Sequence, residues 1–338
     1  MKKILLSLLL VSAFFAMNNC STDFDMYSEY EDVTIVYGLL DISDDTSWVK
    51  ITKAFTGPGN ALLIAQNPDS SNFPYKLDVT LNGVKNGADL TPIQLDTIMI
   101  HNKDLTDTVI NNDGDTLFLN PFYSPDQLMY FTTEIFDEDA EYTLNIKKDD
   151  ETITANTGLV GNFSIIKPNS RFAFSQDLDG VIEWYSAKNG IEHEVTLSFY
   201  YLEYLSGYPD TIRKSFSWNV GSKKAKDESG SDKLELTYSG ARFYSLLVNE
   251  VEPIPNVERW ADSVYITIAA GSQELTTYLD INSGAGSLLE EIPQYTNISG
   301  GSGIFASRHT IVKPVRLSTL TELTIIQDYD LGFKTKSK

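Results

Sequence analysis

The sequence predicts a mainly β protein composed of two antiparallel β-sandwich domains. Short runs of β-branched and aromatic residues recur at roughly ten-residue spacing, and polar turn residues separate them, as in all-β sandwiches. The chain has 338 residues, more than one hydrophobic core usually serves, and 42% of them are hydrophobic. We therefore expect two packed cores, with one or two short helices in the second domain.

The N-terminal residues predict an export signal that ends at a lipid anchor. Lys2 and Lys3 form a positive start, residues 4–16 are an apolar run, and Cys20 follows shortly after. The run is shorter than the roughly 20 residues that span a bilayer, which disfavours a retained membrane helix. These features resemble a bacterial lipoprotein signal, and the resemblance implies removal of residues 1–19 and acylation of Cys20.

The alternative is an ordinary signal peptide cut near Ala16, which would leave Cys20 as a free thiol. Residues 20–32 are polar and acidic, and we expect them to form a lipidated tether. Within it, residues 21–25 resemble the acidic tract that directs lipoproteins of the Bacteroidota to the cell surface. The resemblance implies an outer-membrane protein that faces outward, and the periplasmic face of that membrane is the other option.

The composition of the chain excludes some partners. The formal net charge is −21, whereas nucleic-acid binding and attraction to anionic lipid both require basic surfaces. We therefore expect no nucleic-acid partner and no membrane contact beyond the lipid. The single cysteine excludes an intramolecular disulfide. No motif predicts a metal site or a cofactor.

The first predicted domain comprises residues 33–167. Its strand candidates alternate apolar and polar residues, so that one face of each strand is buried. We expect turns at Asn82-Gly83 and at residues 148–150. Residues 112–115 are acidic but lack the ligand spacing of a calcium loop, so we expect a tight turn there too. The strand candidates are residues 33–37, 48–55, 76–81, 93–100, 116–119, 127–132, 141–147 and 151–156.

The second predicted domain comprises residues 168–328, and residues 329–338 are expected to be a tail. Pro168 separates the two series of strands. The strand candidates are residues 172–174, 181–184, 192–204, 210–220, 233–238, 264–269 and 274–280, and a short helix is predicted at 287–292.

A longer helix is predicted near residues 239–251. Ser239 is an N-cap candidate, and Phe243, Leu247 and Val251 follow at helical spacing. The apolar spacing predicts that this helix packs on a sheet.

The order of elements before this helix resembles a sandwich of the immunoglobulin or fibronectin type III kind. A strand with Trp184 is followed by a turn at Asn189-Gly190 and by a strand with alternating apolar residues. The residues that share one face of that strand are Val195, Leu197, Phe199 and Tyr201.

A glycine-rich run at residues 295–308 is the most distinctive internal segment. Together with residues 37–40 and 182–184, it resembles a family of Bacteroidota outer-membrane lipoproteins that have β-rich domains and no established activity. Glycine permits positive φ and close approach of backbone. The run is interpreted either as a ligand-contacting loop or as a structural crossover between strands. The candidate residues are Asn297, Gly300, Gly301, Gly303 and Arg308.

Aromatic residues are frequent in the predicted hairpin at residues 195–220. Exposed rings on a sandwich can stack on sugars or on a partner protein. The alternative is that these rings are core residues or cross-strand pairs. The candidate binding residues are Tyr200, Tyr204, Tyr208 and Trp218.

Five triplets of Asp, Ser or Thr, and an aliphatic residue resemble O-glycosylation acceptors of the Bacteroidota. The acceptor residues would be Thr97, Thr108, Thr116, Thr211 and Ser263. They favour an exported protein.

No catalytic motif is recognisable in the sequence. Ile304 interrupts a nucleophile elbow at residues 300–304, and His101, His193 and His309 are far apart in the sequence and without ligand spacing. Carboxylates are too abundant for a glycosidase pair to be identified.

We therefore expect a binding or accessory component and not an enzyme. The ligand is a glycan, a nutrient or a partner protein, and the lipoprotein resemblance adds an outer-membrane TonB-dependent transporter as a partner. The alternatives are a surface glycan hydrolase and a purely structural or adhesive surface protein.

Overall fold

The computed structural model describes residues 31–56, 64, 67–101, 108–110, 116–118, 126–208, 210–283 and 295–335. Cys20, most of the predicted tether, the acidic turn at 112–115 and the helix predicted at 287–292 lie outside these ranges.

The described residues form nineteen strands, and the fold is mainly β, as predicted. In the N-terminal half the strands are β1 (Glu31–Asp41), β2 (Ser47–Thr56), β3 (Asp78–Lys85), β4 (Ala88–Asp89), β5 (Ile93–Gln94), β6 (Asp96–Ile100), β7 (Thr108–Ile110), β8 (Thr116–Phe118), β9 (Gln127–Thr132), β10 (Glu141–Lys148) and β11 (Glu151–Gly158). In the C-terminal half they are β12 (Ile165–Lys167), β13 (Arg171–Phe172), β14 (Gly180–Tyr185), β15 (Glu192–Leu205), β16 (Thr211–Lys224), β17 (Lys233–Tyr238), β18 (Val257–Gly271) and β19 (Ser302–Leu317).

One nine-stranded sheet runs through both halves of the chain. Its order is β16-β15-β18-β19-β1-β2-β9-β6, with β13 beside β19. Most neighbouring strands are antiparallel, but β1 and β13 each pair with β19 in parallel. The β1–β19 register runs from Ile35 opposite Ser302 to Asp41 opposite Arg308. The two halves are therefore joined by main-chain hydrogen bonds, and the immunoglobulin-like detail remains a prediction.

Two smaller sheets lie against the nine-stranded sheet and form two separate hydrophobic cores. The five-stranded sheet has the order β11-β10-β3-β4, with β5 on β3, and it contributes Val79 and Leu144 to the first core. The three-stranded sheet, β12-β14-β17, contributes Trp184 to the second core. Strands β7 and β8 pair with each other.

Strand β19 contributes to both cores. Phe305 belongs to the first core and Val315 to the second, and both residues occupy odd-numbered positions of the strand. Because successive side chains of a strand point to opposite faces, the two cores share one face of the large sheet. Ile298 also lies in the first core. Residues near 298–305, placed in the second domain by the sequence, thus pack with the N-terminal half.

The predicted tail also packs on the body of the protein. Leu331 and Phe333 are buried in the second core. The buried Arg259 donates from Nη1 to the carbonyl oxygen of Leu331 at 2.6 Å, and its Nε donates to Glu203 at 2.8 Å. The fold therefore extends beyond residue 328.

Four helices occur in the described residues: α1 (Pro68–Ser71), α2 (Gly240–Glu250), α3 (Gln273–Ser283) and α4 (Thr319–Asp328). The prediction of α2 is confirmed, because the Ser239 hydroxyl accepts the N–H of Arg242 at 3.4 Å, and Phe243 and Leu247 are fully buried.

The prediction of a strand at 274–280 is wrong, because this segment is helix α3. The carbonyl oxygen of Ser272 accepts the N–H of Thr276 at 2.9 Å and starts the helical pattern. Helix α4 was not predicted, although Ser318 caps it by accepting the N–H of Thr321 at 3.2 Å. The described residues of the C-terminal half therefore form three helices of at least ten residues, where one or two short helices were expected.

Two turns lie where the sequence predicts them, and a third predicted turn lies elsewhere. Asp149 and Asn189 have φ of 51° and 58° at the turns expected there. Asn82 and Gly83, in contrast, lie inside β3, and the turn is at Asn86-Gly87. The register with β10 keeps Val79 and Leu81 on the buried face up to that later turn.

Candidate functional site

The face of the nine-stranded sheet that points away from both cores is called the outer face here. Val195, Leu197, Phe199 and Tyr201 of β15 are buried in the second core, as the alternation predicts, so the residues between them point outward. On β15, β16 and β18 these outward residues are half-buried or exposed, and most carry hydroxyl or amide groups. They include Thr196, Ser198, Tyr200, Ser215, Ser217, Asn219, Tyr265 and Thr267, and the half-buried Thr310 of β19 also points outward.

A compact group at the β16 edge of this face is called the aromatic corner, and it consists of Tyr200, Arg213, Asp262 and Tyr265. The two rings have centroids 4.7 Å apart, and Cζ of Arg213 lies 4.1 Å from the centroid of the Tyr200 ring. Arg213 donates from Nη2 to the hydroxyl of Tyr265 and from Nε to Asp262, both at 3.1 Å. The bond to Tyr265 raises the pKa of Arg213. Rings and guanidinium are therefore held in one arrangement.

The predicted aromatic residues divide between this surface and the core. Tyr200 is part of the aromatic corner, Tyr204 is half-buried, and Tyr208 is 63% exposed at the end of the hairpin. The interpretation of Trp218 as a binding residue is wrong, because it is 7% exposed and its ring lies 6.0 Å from that of Phe243.

The error over Trp218 has a simple cause. Even-numbered positions of β16 face the second core, whereas even-numbered positions of β15 face outward. The sequence alone does not tell which set of alternate residues in each strand faces the core. Tyr265 was missed because it joins Tyr200 only through the pairing of β18 with β15.

The glycine-rich segment contacts the backbone of the protein itself. A Cβ on Gly303, which has φ of 106°, would lie 2.0 Å from the carbonyl oxygen of Val36, and one on Gly301 would lie 2.7 Å from that of Thr34. Asn297 accepts the N–H of Phe305 at 2.9 Å and donates to its carbonyl oxygen at 2.6 Å. These contacts are those of a structural crossover, the second of the two interpretations.

Gly300 and Arg308, the other two candidates of this segment, are not held against backbone in this way. Gly300 has φ of 81°, and a Cβ there would meet nothing closer than 3.6 Å. Arg308 points to the outer face and forms ion pairs with Asp41 at 2.9 Å and Asp44 at 3.8 Å.

A groove lies on the outer face between helix α3 and the ends of β15 and β16. Its volume is about 620 Å³. Leu39, Leu275 and Leu279 line one side, and Glu192 and Glu194 line the other. An apolar and an acidic wall thus face each other in a space of the size that small ligands occupy.

A second cavity, of about 370 Å³, lies at the junction of the two halves. Glu141, Glu228 and Glu274 line it together with Asp139 and Lys188. Lys188 donates to Asp139 at 2.8 Å and thereby lowers the pKa of that carboxyl. Asp139 is therefore ionised at neutral pH and has no proton to donate as a general acid.

Two histidines that are remote in the sequence lie close together at this junction. His193 and His309 flank Ala270 on adjacent strands, and both rings contact Phe163, at centroid distances of 5.4 and 5.9 Å. Burial lowers the pKa of His193 to about 4 and lowers that of His309. Nε2 of His193 accepts the N–H of Ala187 at 3.0 Å. The two imidazoles are therefore neutral packing residues at pH 7.

Within the described ranges no three His, Cys, Asp or Glu side chains are arranged to hold a metal ion. The same part of the chain contains no helix that is long and apolar enough to cross a membrane.

The candidate glycosylation residues have different exposures. Thr211 is exposed at the start of β16, whereas Thr97 on β6 and Ser263 on β18 are half-buried. Thr108 begins β7 and Thr116 begins β8, and their side chains lie outside the described part of the structure.

Comparison with known proteins gives no family. No family model matches the sequence, and no curated protein does. Among solved structures, the C-terminal globular domain of an oligosaccharyltransferase from Pyrococcus abyssi is 10% identical, with a TM-score of 0.27, over 86% of this chain and 48% of that one. A sporulation control protein from Bacillus subtilis is 12% identical, with a TM-score of 0.21, over 51% of this chain and 56% of that one. A cytokine receptor complex is 10% identical, with a TM-score of 0.21, over 84% of this chain and 98% of that one. Likenesses this weak carry no argument about function.

Proposed function

We propose that the protein is a lipoprotein anchored through Cys20 in the outer membrane, facing outward, and that it binds a glycan without modifying it. The observation that carries the binding proposal is the aromatic corner beside the hydroxyl-rich outer face. Tyr200 and Tyr265 are both half-buried, with centroids 4.7 Å apart, so that part of each ring is accessible while its position is fixed.

The chemistry of a sugar matches this surface. A pyranose ring has C–H faces that pack on aromatic rings, and its hydroxyl groups need donors and acceptors when water is removed. Ser215, Ser217 and Asn219 on β16 supply such groups and are exposed. Bound nutrient glycan would then be handed to a TonB-dependent transporter, the partner that the lipoprotein resemblance suggests.

The test uses the protein from residue 21 onward, which lacks the lipid, on a glycan array. We expect retention of at least one glycan, and a Tyr200→Ala, Tyr265→Ala double variant should bind it about tenfold or more weakly. Tyr185, 47% exposed on β14, is the matched control, and Tyr185→Ala should bind normally. A purely adhesive or structural role predicts no retention of any glycan, and that outcome would refute the proposal.

The second candidate is a glycan hydrolase, and the acidic cavity at the junction of the two halves favours it. Among the glutamates of this cavity, Glu274 is the candidate, since its Oε2 accepts the hydroxyl of Ser272 at 2.6 Å. Release of reducing ends from a retained glycan, abolished by Glu274→Gln and unaffected by the tyrosine double variant, would identify an enzyme.

A further inference from the structure

The groove beneath helix α3 is formed by the close packing of that helix on the large sheet. The helix starts at Gln273, directly after β18, and lies on the outer side of β18 and β19. A Cβ on Gly271 would be only 3.1 Å from Cδ2 of Leu275, so glycine lets the helix approach the sheet closely. Lys224 at the end of β16 donates to Asp280 of the helix at 2.6 Å and links the two sides of the groove.

The charges along the acidic wall are unequally compensated. Glu192 lies 4.0 Å from Lys224, and Arg308 is already paired with Asp41. Glu194 accepts a hydrogen bond from the neutral amide of Asn219, and within the described ranges it has no cationic partner. A bound cation could therefore form a charge-assisted hydrogen bond with the carboxylate of Glu194.

The helix side of the groove is mainly apolar. Thr276 also lines it but is only 3% exposed, and its Oγ1 has no accessible surface. Leu275 and Leu279 lie one turn apart on the same side, and Leu279 is 52% exposed.

We propose that this groove binds an alkylammonium group, either in a small amine or in the lysine side chain of a peptide. The alkyl chain lies along Leu275 and Leu279, and the ammonium donates to the carboxylate of Glu194 on the sheet. The inference rests on the proposed role of the outer face in binding, and it adds a ligand chemistry distinct from that of the aromatic corner.

Calorimetric titration of the protein from residue 21 onward separates the contributions. With n-hexylammonium, n-hexanol and hexanoate as probes, we expect the ammonium to bind at least about tenfold more tightly than the alcohol, and hexanoate not to bind. Glu194→Gln should weaken the ammonium about tenfold and leave the alcohol unchanged. Leu279→Ser should weaken both probes. Equal binding of ammonium and alcohol, or no effect of Glu194→Gln, would overturn the proposal.

Two controls address nonspecific attraction and the source of the amine. Glu250→Gln removes an exposed carboxylate at the end of α2 and should leave ammonium binding unchanged, so any equal loss would indicate nonspecific attraction to an acidic protein. Nα-acetyl-lysine-N-methylamide, which keeps the side-chain ammonium, is titrated in parallel to distinguish the two sources. Tighter binding than that of n-hexylammonium indicates a peptide ligand, and weaker binding indicates a free amine.

The same variants separate this inference from the proposed glycan binding. Glu194→Gln should retain glycan, and the tyrosine double variant should retain n-hexylammonium. Loss of ammonium affinity with intact glycan retention would concern the groove alone, and a protein that binds the ammonium but no glycan would contradict only the proposed function.

Discussion

Acidification from pH 7 to pH 5 should destabilise the protein by about 2 kcal/mol through His193 alone. The side chain is fully buried beside Trp184 and Phe163, and burial lowers its pKa to about 4, against about 6.5 in an unfolded chain. A depressed pKa means that the folded state favours the neutral imidazole. The contribution to stability is therefore complete above pH 6.5 and is lost as the pH falls toward 4. Linkage gives about 2 kcal/mol at pH 5 and about 3 kcal/mol below pH 4.

Urea unfolding at pH 7, 6 and 5 measures this loss, provided that the dependence of unfolding free energy on urea has the same slope at each pH. His193→Gln removes the titrating group, and its side-chain oxygen can still accept the N–H of Ala187. The variant should be less stable than the natural protein at pH 7. Between pH 7 and pH 5, however, its free energy of unfolding should fall by about 2 kcal/mol less than that of the natural protein.

His101 provides the matched control, because its side chain is 65% exposed at the surface. His101→Gln should leave the large acid-induced loss in place. If the natural protein and His193→Gln lose equal stability between pH 7 and pH 5, the loss comes from other groups and the reasoning from burial is refuted.

Three further predictions concern the anchor, the core and the glycine-rich segment. Cys20→Ala removes the residue that would carry the acyl chains, and stable anchoring requires several of them, so the protein should move from the membrane fraction to the soluble fraction. A variant that stays membrane-bound after a salt wash would exclude Cys20 as the anchor. Trp218→Ala should cost about 3 to 5 kcal/mol in urea unfolding, whereas a surface ring would cost less than about 1 kcal/mol. Gly303→Ala should destabilise the protein by about 2 kcal/mol or more, since a Cβ would meet the carbonyl oxygen of Val36 at 2.0 Å in a left-handed backbone conformation; unchanged stability would show that the segment can shift.

Patterns confined to neighbouring residues were predictable from the sequence. Alternation along β15 identified the buried residues from Val195 to Tyr201, and Ser239 identified the start of α2, because both signals act over a few residues. Helix α3 was mistaken for a strand because Thr276, Thr277 and Tyr278 are all β-formers, and its helical form depends on packing of Leu275 over the sheet.

Relationships between distant residues were not predictable in this way. The parallel pairing of β1 with β19 joins residues more than two hundred and fifty positions apart, and no local pattern encodes it. The aromatic corner depends on the pairing of β15 with β16 and β18, which brings Arg213 and Tyr265 to Tyr200. The candidate site was therefore predicted only in part, through Tyr200.

The register of β19 determines the geometry of both cores and of the groove. Odd-numbered residues such as Phe305 face the cores, and even-numbered residues such as Arg308 face outward, so a shift by one residue would exchange the two sets. Gly303 fixes the register, because only a residue without a Cβ can lie against the backbone of Val36. That register places Arg308 opposite Asp41, where their ion pair leaves the acidic wall of the groove without a neutralising arginine. On this argument, the glycine-rich segment fixes the sheet register that shapes the groove, the place where we propose that an alkylammonium group binds.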